Sequence, residues 1–404
     1  MIFAFYILAA MLIFLSYKSF RGGVDYYGYF KKEVAKPSSS YAPFVTVIAP
    51  CKGIDEGLED NLSALLLQNF PDYEVIFVVD SENDSAVEAI NTVSRKDAKS
   101  AKKTKLVVAH QTRDSSQKVE NLREAVLHAS ETSEVLAFVD SDVCVDRTWL
   151  QALVAPLENE NVGAATGYRW FISERPTFGS EMRSVWNASI ASALGPNLKS
   201  NFCWGGSMAI RRETFDRIGM RERWRGTLSD DFAVTRAMRE NGLHIYFVTQ
   251  ALTASIGNCS LREAIEFTNR QMKITRVYAP DLWLKSYFGS TVFNTVMIAA
   301  LAIIVFSAKN DINVLIAAIV FGLVSLFSIC KSWTRLGAVE LALANRWPQV
   351  KRQWLTQNTL WLLSPLLFLI NCIAATVSRE MSWRGIRYRL KSPTETVIIS
   401  DDRH

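Results

Sequence analysis

Four stretches of the chain carry no charged residue: Met1 to Tyr17, Ser290 to Ala308, Ile312 to Cys330 and Leu355 to Ser378. A helix needs about 20 apolar residues to cross the hydrocarbon core, so the last three have the length of membrane spans and the first sits at the lower limit. Between Lys18 and Leu261 nothing comparable occurs. That interval of roughly 240 residues has the size of one soluble domain. A composition of 49% hydrophobic and 21% charged residues over 404 positions fits such a division and is not that of a many-helix transporter.

No Lys or Arg precedes the first stretch and no small-residue cleavage site follows it before Lys18, which favours a retained anchor over a cleaved signal peptide. Lys18, Arg21, Lys31 and Lys32 come next, so the positive-inside tendency puts the N-terminus outside and the soluble domain in the cytoplasm. The six cysteines are scattered with no C-x-x-C pair, as expected of reduced thiols rather than of a disulfide framework or a zinc site. A net charge of +5 suits contact with anionic headgroups and equally an ordinary solvated surface. No basic stripe points to nucleic acid.

The soluble interval alternates β-branched runs with amphipathic stretches, the pattern of an α/β fold with a mostly parallel sheet. Strands are expected at Val45 to Ala49, Tyr73 to Val79, Lys105 to Ala109 and Val135 to Val139. Helices are expected at Leu58 to Leu67, Ser85 to Arg95, Lys118 to Ala129 and Phe232 to Glu240, with a solvated basic loop from Asp97 to Lys105. Ligands in such sheets bind beyond the carboxyl ends of the strands, and two strands end in acidic clusters: Asp80 with Glu82 and Asp84, and Asp140 with Asp142. No G-x-G-x-x-G or P-loop sequence occurs, which removes the main support for dinucleotide and P-loop readings.

Asp140-Ser141-Asp142 has the form D-x-D directly after a hydrophobic strand. Two carboxylates so placed can hold Mg²⁺ or Mn²⁺, which would neutralise a pyrophosphate leaving group. The alternative is capping of a helix near Arg147 by Asp142 or Asp146. Asp231 is the candidate general base, for an inverting sugar transfer needs one carboxylate to take the acceptor's proton. Its neighbour Asp230 is the second catalytic candidate, since adjacent carboxylates allow one of the two a raised pKa that would help a base, while Ser229 or Asp230 could also cap the helix that follows. Trp204-Gly205-Gly206-Ser207 reads as a tight turn that either lets backbone approach an acceptor or only gives packing freedom. The four histidines form no H-x-x-x-H pair and no G-x-S-x-G elbow occurs, so zinc and esterase chemistry lack support.

These residues resemble the family 2-type glycosyltransferases, and within them the ceramide glucosyltransferase branch, over nearly the whole chain. Pro50-Cys51-Lys52-Gly53 is similar to the family's P-x-K-G opening. Asp84 resembles the first family aspartate, which contacts the nucleotide, with Asp80 as the alternative. Lys118-Val119-Glu120-Asn121-Leu122 is similar to K-x-x-N-L beside the donor. Asp140 and Asp142 match the metal-binding aspartates, and Asp231 the catalytic one. Arg270-Gln271-Met272-Lys273-Ile274 is the nearest match to (Q/R)-x-x-R-W, with Lys for Arg and Ile for Trp. Lys lacks the bidentate fork of Arg, and Arg276 is a further cation close by. Trp383-Arg384-Gly385-Ile386-Arg387-Tyr388-Arg389-Leu390 resembles the W-R-G-x-x-Y-R-L tail of this branch.

The resemblance implies a nucleotide-diphospho-sugar transferase fold (a Rossmann-like, mostly parallel sheet) joined to transmembrane helices. It implies an inverting enzyme that moves glucose from a UDP-sugar to a lipid hydroxyl, ceramide first. Transfer of N-acetylglucosamine to a hopanoid or other polyol lipid is the next expectation. A processive polysaccharide synthase and a nucleotide-sugar-binding membrane scaffold are the rivals. The expected organisation is an anchor over 1–17, a cytosolic catalytic domain over 18–260, interfacial amphipathic helices over 261–289, a membrane region over 290–378 and a basic cytosolic tail over 379–404. A cytosolic tail needs an odd number of crossings from an outside N-terminus, yet four candidates exist. Either Leu355 to Ser378, with Pro365 in its middle, is re-entrant or doubled, or one other candidate does not span; the charges Arg352 and Arg379 on its flanks favour the first.

Overall fold

The computed structural model describes residues 2–96, 103–308 and 311–402. These form two compact units: residues 1–31, 175–192 and 258–378 in one, and residues 32–174, 193–257 and 379–404 in the other.

The second unit is built on a seven-stranded sheet. Its strands are β1 (Val45–Pro50), β2 (Tyr73–Val79), β3 (Lys103–Val108), β4 (Val135–Val139), β5 (Val162–Ile172), β6 (Ser207–Arg211) and β7 (His244–Ile256). The spatial order is β3-β2-β1-β4-β6-β5-β7. β1 to β4 run parallel, β6 is antiparallel to both its neighbours, and β5 pairs β7 in parallel. The α/β expectation therefore holds, with one reversed strand in the middle of the sheet. β2 and β4 are buried along their whole length, as strands covered by helices on both faces must be. Ile48, Val78, Leu136 and Phe138 of the sheet pack with Val119 and Leu122 of the helix Gln117–Ala125 and with Val234 and Met238 of the helix Asp230–Glu240. The ring of Trp224 stands edge-on to Phe138, with centroids 5.4 Å apart.

Of the expected basic loop from Asp97 to Lys105, residues 97–102 lie outside the described residues, and Lys103 onward already belongs to β3. The tail is a folded piece of this unit. β8 (Glu380–Trp383), β9 (Ile386–Ser392) and β10 (Glu395–Asp401) form an antiparallel three-stranded sheet. In β9 Ile386, Tyr388 and Leu390 are buried while Arg387, Arg389 and Lys391 face out. The buried Tyr388 hydroxyl accepts from the Gln117 backbone N–H at 3.2 Å, which ties the tail to the helix carrying Lys118.

Among the described residues the first unit holds three helices long and apolar enough to cross a membrane: Ile2–Val34, whose residues to Lys31 belong here, Pro280–Phe306 and Ile312–Ala342. Phe5, Ala9 and Leu12 interlock with Val296, Ala300, Ala317 and Val320, while Phe14, Ile298, Phe306, Leu315 and Leu326 point outward. An apolar exterior of this kind is what a lipid environment requires. Trp354–Leu362 and Ser364–Val377 pass the same test only as a pair, bent by 58°. Pro365 sits in the first turn after the break, where its missing N–H costs no helical hydrogen bond. The amphipathic helix Leu261–Tyr278 starts with a full capping box between Ser260 and Glu263.

Candidate active site

The carboxyl ends of β1 and β2 create the first cluster. Lys52, two residues past β1, reaches Asp80 Oδ1 at 2.7 Å and Asp84 Oδ2 at 2.9 Å. The other Asp84 oxygen accepts from the backbone N–H groups of Gly53 at 2.8 Å and Ala86 at 3.0 Å. Burial pushes the Asp84 carboxyl up, but these N–H groups and Lys52 outweigh it, so its pKa falls below the ordinary value. The same two acids raise Lys52 against the burial that would lower it. Asp80 and Asp84, the two alternatives for the nucleotide contact, thus share one cation.

The second cluster lies where β4 ends. Lys118 Nζ stands 2.7 Å from Asp140 Oδ1 and 3.2 Å from Asp230 Oδ1. Burial alone would lower the lysine, yet Asp140 and Asp230 hold it well above its usual range. Burial pushes Asp230 up to about 6, with Asp231 and Asp140 adding to the rise and Lys118 opposing it. Desolvation and the nearby Asp140 and Asp55 likewise raise Asp142, against the pull of Arg169 and Arg384. Two buried carboxylate oxygens here, Asp142 Oδ1 and Asp230 Oδ2, have no hydrogen-bond partner among the described residues. Arg169 is 3.9 Å from the other Asp142 oxygen and lies over the Trp204 ring at 5.3 Å.

Asp231 opens the helix Asp230–Glu240 beside this cluster. Its Oδ1 accepts from the Ser229 hydroxyl and from the Phe232 N–H at 2.7 Å, and its Oδ2 from the Gly205 N–H at 3.3 Å. Ser229 occupies the N-cap position without making a side-chain cap, since its hydroxyl is spent on Asp231. The capping alternative for Asp142 also falls away: the next helix starts at Trp149, with Thr148 in the N-cap position and no side-chain cap, and it is Asp146 that accepts from the Arg147 N–H at 2.7 Å.

The glycines of the Trp204–Ser207 turn answer to packing inside the protein. A Cβ on Gly205 would lie 2.0 Å from Asp230 Oδ2 and 2.9 Å from Lys118 Nζ. On Gly206 it would lie 2.2 Å from the indole of Trp204. Trp204 itself is buried, 5.5 Å from the Tyr168 ring.

The fold therefore joins Lys52 with Asp80 and Asp84, and Lys118, Asp140, Asp142, Asp230 and Asp231 with Gly205. Asn121 is buried on the Lys118 helix, where its side-chain oxygen accepts from Gln117 at 2.9 Å. Arg270, Lys273 and Arg276 lie on the helix Leu261–Tyr278 of the other unit. Within that unit Arg276 donates to the backbone oxygens of Ala375 and Thr376, at the end of the helix Ser364–Val377, and stacks over Trp283. Ile274 is buried. Sequence reasoning alone misses Asp55, Arg169 and Arg384 as site residues. Only Arg384 carried a signal, as part of the Trp383 to Leu390 octapeptide.

The carboxylates fit a hard divalent cation. Among the described residues no group of three or more His, Cys, Asp or Glu could enclose one. Asp142 nonetheless offers an unpartnered buried oxygen beside Asp140, and Mg²⁺ or Mn²⁺ commonly takes one or two carboxylates and completes its shell with substrate oxygens and water.

Comparison with known proteins adds the following. The family model described as glycosyl transferase family 21 matches residues 4–396. A ceramide glucosyltransferase of Komagataella phaffii is 34% identical over 79 residues, which is 18% of this chain and 16% of that protein's length. Among solved structures, a mannosyltransferase from Pyrobaculum calidifontis in complex with GDP-Man and Mn²⁺ is 18% identical with a TM-score of 0.46, covering 92% of this chain and 98% of its own. The glucosyl-3-phosphoglycerate synthase of Mycobacterium tuberculosis with Mn²⁺ and UDP-glucose is 15% identical with a TM-score of 0.35, covering 61% and 80%.

Proposed function

The chain belongs to glycosyl transferase family 21, and from that premise we propose that it is an inverting enzyme that moves glucose from UDP-glucose to the primary hydroxyl of ceramide. The observation that carries this reading is the acidic cluster around Lys118. Asp140, Asp142, Asp230 and Asp231 converge at one sheet edge with two buried oxygens left unpartnered.

The nucleoside lies along the ends of β1 and β2, with Lys52, Asp80 and Asp84 as its polar contacts. Asp142, with Asp140, would hold Mg²⁺ or Mn²⁺, which when bound would supply charge neutralisation for the departing diphosphate. Asp231 takes the proton of the acceptor hydroxyl. The acceptor oxygen bonds to the anomeric carbon, the bond from that carbon to the β-phosphate oxygen breaks, and UDP leaves from the opposite face. The Ser229 hydroxyl and the Phe232 and Gly205 N–H groups aim the Asp231 carboxylate. Lys118 holds Asp140 and Asp230 together and carries positive charge at the donor end. The Trp204 turn shapes the acceptor side.

The chain is a membrane protein by its three long apolar helices, and we place its catalytic domain in the cytoplasm. The cations that follow the first apolar stretch support that side, and parity keeps the tail on the same side as the main sheet. The tail sheet and the main sheet belong to one compact unit, so they share one side of the bilayer, because open backbone edges are not tolerated in hydrocarbon. An even number of crossings must then separate Gly257 from Arg379. Pro280–Phe306 and Ile312–Ala342 supply two, and the pair bent by 58°, which by its shape is either a broken span or a re-entrant loop, is assigned as re-entrant to keep that count even.

The test is mass spectrometry, with proton NMR of the anomeric centre, of the lipids formed by the purified protein with ceramide and each UDP-sugar in turn. A hexosylceramide formed from UDP-glucose, with the anomeric configuration inverted, is the expected result. A hexosylated polyol lipid, formed with no ceramide product, would overturn the acceptor. Retention of configuration would overturn the mechanism.

A further inference from the structure

The tip of the tail hairpin sits at the active-site edge. β8 and β9 are joined by two residues, Arg384 with φ 50 and Gly385 with φ 81. Positive φ at both positions is a type I′ turn, for which Asn-Gly and Gly-Gly are the favoured sequences. Among the described residues Arg384 is the single non-glycine with positive φ. A long side chain is tolerated there at a cost in backbone strain, and such strain gathers where a side chain has work to do.

The guanidinium uses one nitrogen, Nη2, for both oxygens of Asp55, at 2.8 and 2.6 Å. Its Nη1 and Nε make no hydrogen bond among the described residues, and the side chain is 44% exposed. It lies within electrostatic reach of Asp142 and Asp140. The other cations of this unit's site are already engaged: Lys52 by Asp80 and Asp84, Lys118 by Asp140 and Asp230, and Arg169 stacked on Trp204. Arg384 thus has donors still to give, on an edge where several carboxylates would otherwise repel an incoming anion. A planar guanidinium with two free donor positions matches a phosphate oxygen pair.

Resting on the donor-site reading above, we propose that Arg384, carried on the β8–β9 turn, is a donor-binding residue whose guanidinium grips the diphosphate of the nucleotide sugar beside Asp142. The C-terminal hairpin is then part of the donor site. Its hold on the helix Gln117–Ala125 through Tyr388 sets the guanidinium at a fixed height above the sheet edge.

The experiment measures UDP and UMP binding to the full chain in detergent by titration calorimetry, with no turnover, for wild type, Arg384→Asn and Arg384→Lys. Asn accepts the left-handed turn, so the melting midpoint of Arg384→Asn should equal or exceed that of wild type. Its UDP affinity should fall about 10- to 100-fold, the loss of charge-assisted hydrogen bonds. UMP, which lacks the diphosphate, should lose far less, and Arg384→Lys should fall between. Equal UDP binding by wild type and Arg384→Asn would overturn the proposal and leave the donor site intact. So would parallel losses of UDP, UMP and melting midpoint, which mark a structural turn. Failure of the wild type itself to bind UDP would remove the donor-site reading, and Arg384's role with it.

Discussion

Asp230 and Gly205 are fitted to each other: the Asp230 carboxylate occupies the space where a side chain at residue 205 would begin, 2.0 Å from the ideal Cβ position. The helix start at Asp230 and the turn before β6 can therefore approach only with glycine in that place. Gly205→Ala should push Asp230 away from Lys118. We expect a loss of about 1–3 kcal/mol in stability from overpacking together with a marked fall in transfer rate. Thermal melting and UDP release measure the two, and an unaltered Gly205→Ala would contradict the fit.

Lys118 neutralises two acids that have few other partners. Removing it in Lys118→Met leaves Asp140 and Asp230 facing each other, and breaking a buried pair in this way costs about 3–5 kcal/mol. The side chain is 15% exposed, so the lower end of that range is expected. Adding Asp230→Asn to Lys118→Met should recover part of the loss, because the double variant no longer strands a buried charge. Chemical denaturation of the four members of the cycle gives the coupling, and strict additivity would show that the pair does not interact.

The pH dependence of stability follows from Asp230. Its folded pKa is raised, to about 6, above the ordinary value of about 3.9 for an unfolded chain. A raised pKa means the folded state binds the extra proton more tightly. The stabilisation is complete below the unfolded value and is lost as pH rises through the folded one. Wild type should therefore lose stability relative to Asp230→Asn between about pH 4 and 6 and show no further divergence above. Melting midpoints of both proteins across that window check it; parallel curves would contradict it.

Membrane parity has its own test. Single cysteines at Ser307 and Ser392, each in a background lacking reactive thiols, should label from opposite sides of a sealed vesicle. Ser307 follows the end of the first C-terminal span, and Ser392 ends β9 in the catalytic unit. Labelling of both from one side would mean that the bent pair crosses the bilayer or that a long helix does not.

Much of this was legible in the sequence because short apolar runs ended in unmistakable chemistry. Val135 to Val139 followed by Asp140 reads as a strand delivering a carboxylate, and it is one. The uncharged stretches likewise announced the long helices. The tail was misleading for a specific reason. Ile386, Tyr388 and Leu390 alternate with Arg387, Arg389 and Lys391, a clear period of two, but so dense a set of cations reads first as a positive-inside signal. The site's pairings were hidden because they are tertiary. Nothing local to Lys118 announces Asp230, and nothing local to Arg384 announces Asp55. The second half of the sheet is less legible, since β6 reverses direction between two strands, a pairing no local pattern announces.

The central claim is that Asp231 takes the acceptor's proton, and one comparison tests it most directly. Wild type and Asp231→Asn are assayed side by side for UDP released from UDP-glucose in the presence of ceramide, with UDP binding measured on the same preparations. Loss of a general base should lower kcat about 10²- to 10⁴-fold while UDP binding stays near the wild-type level. Equal rates of ceramide-dependent UDP release from the two proteins would contradict the account.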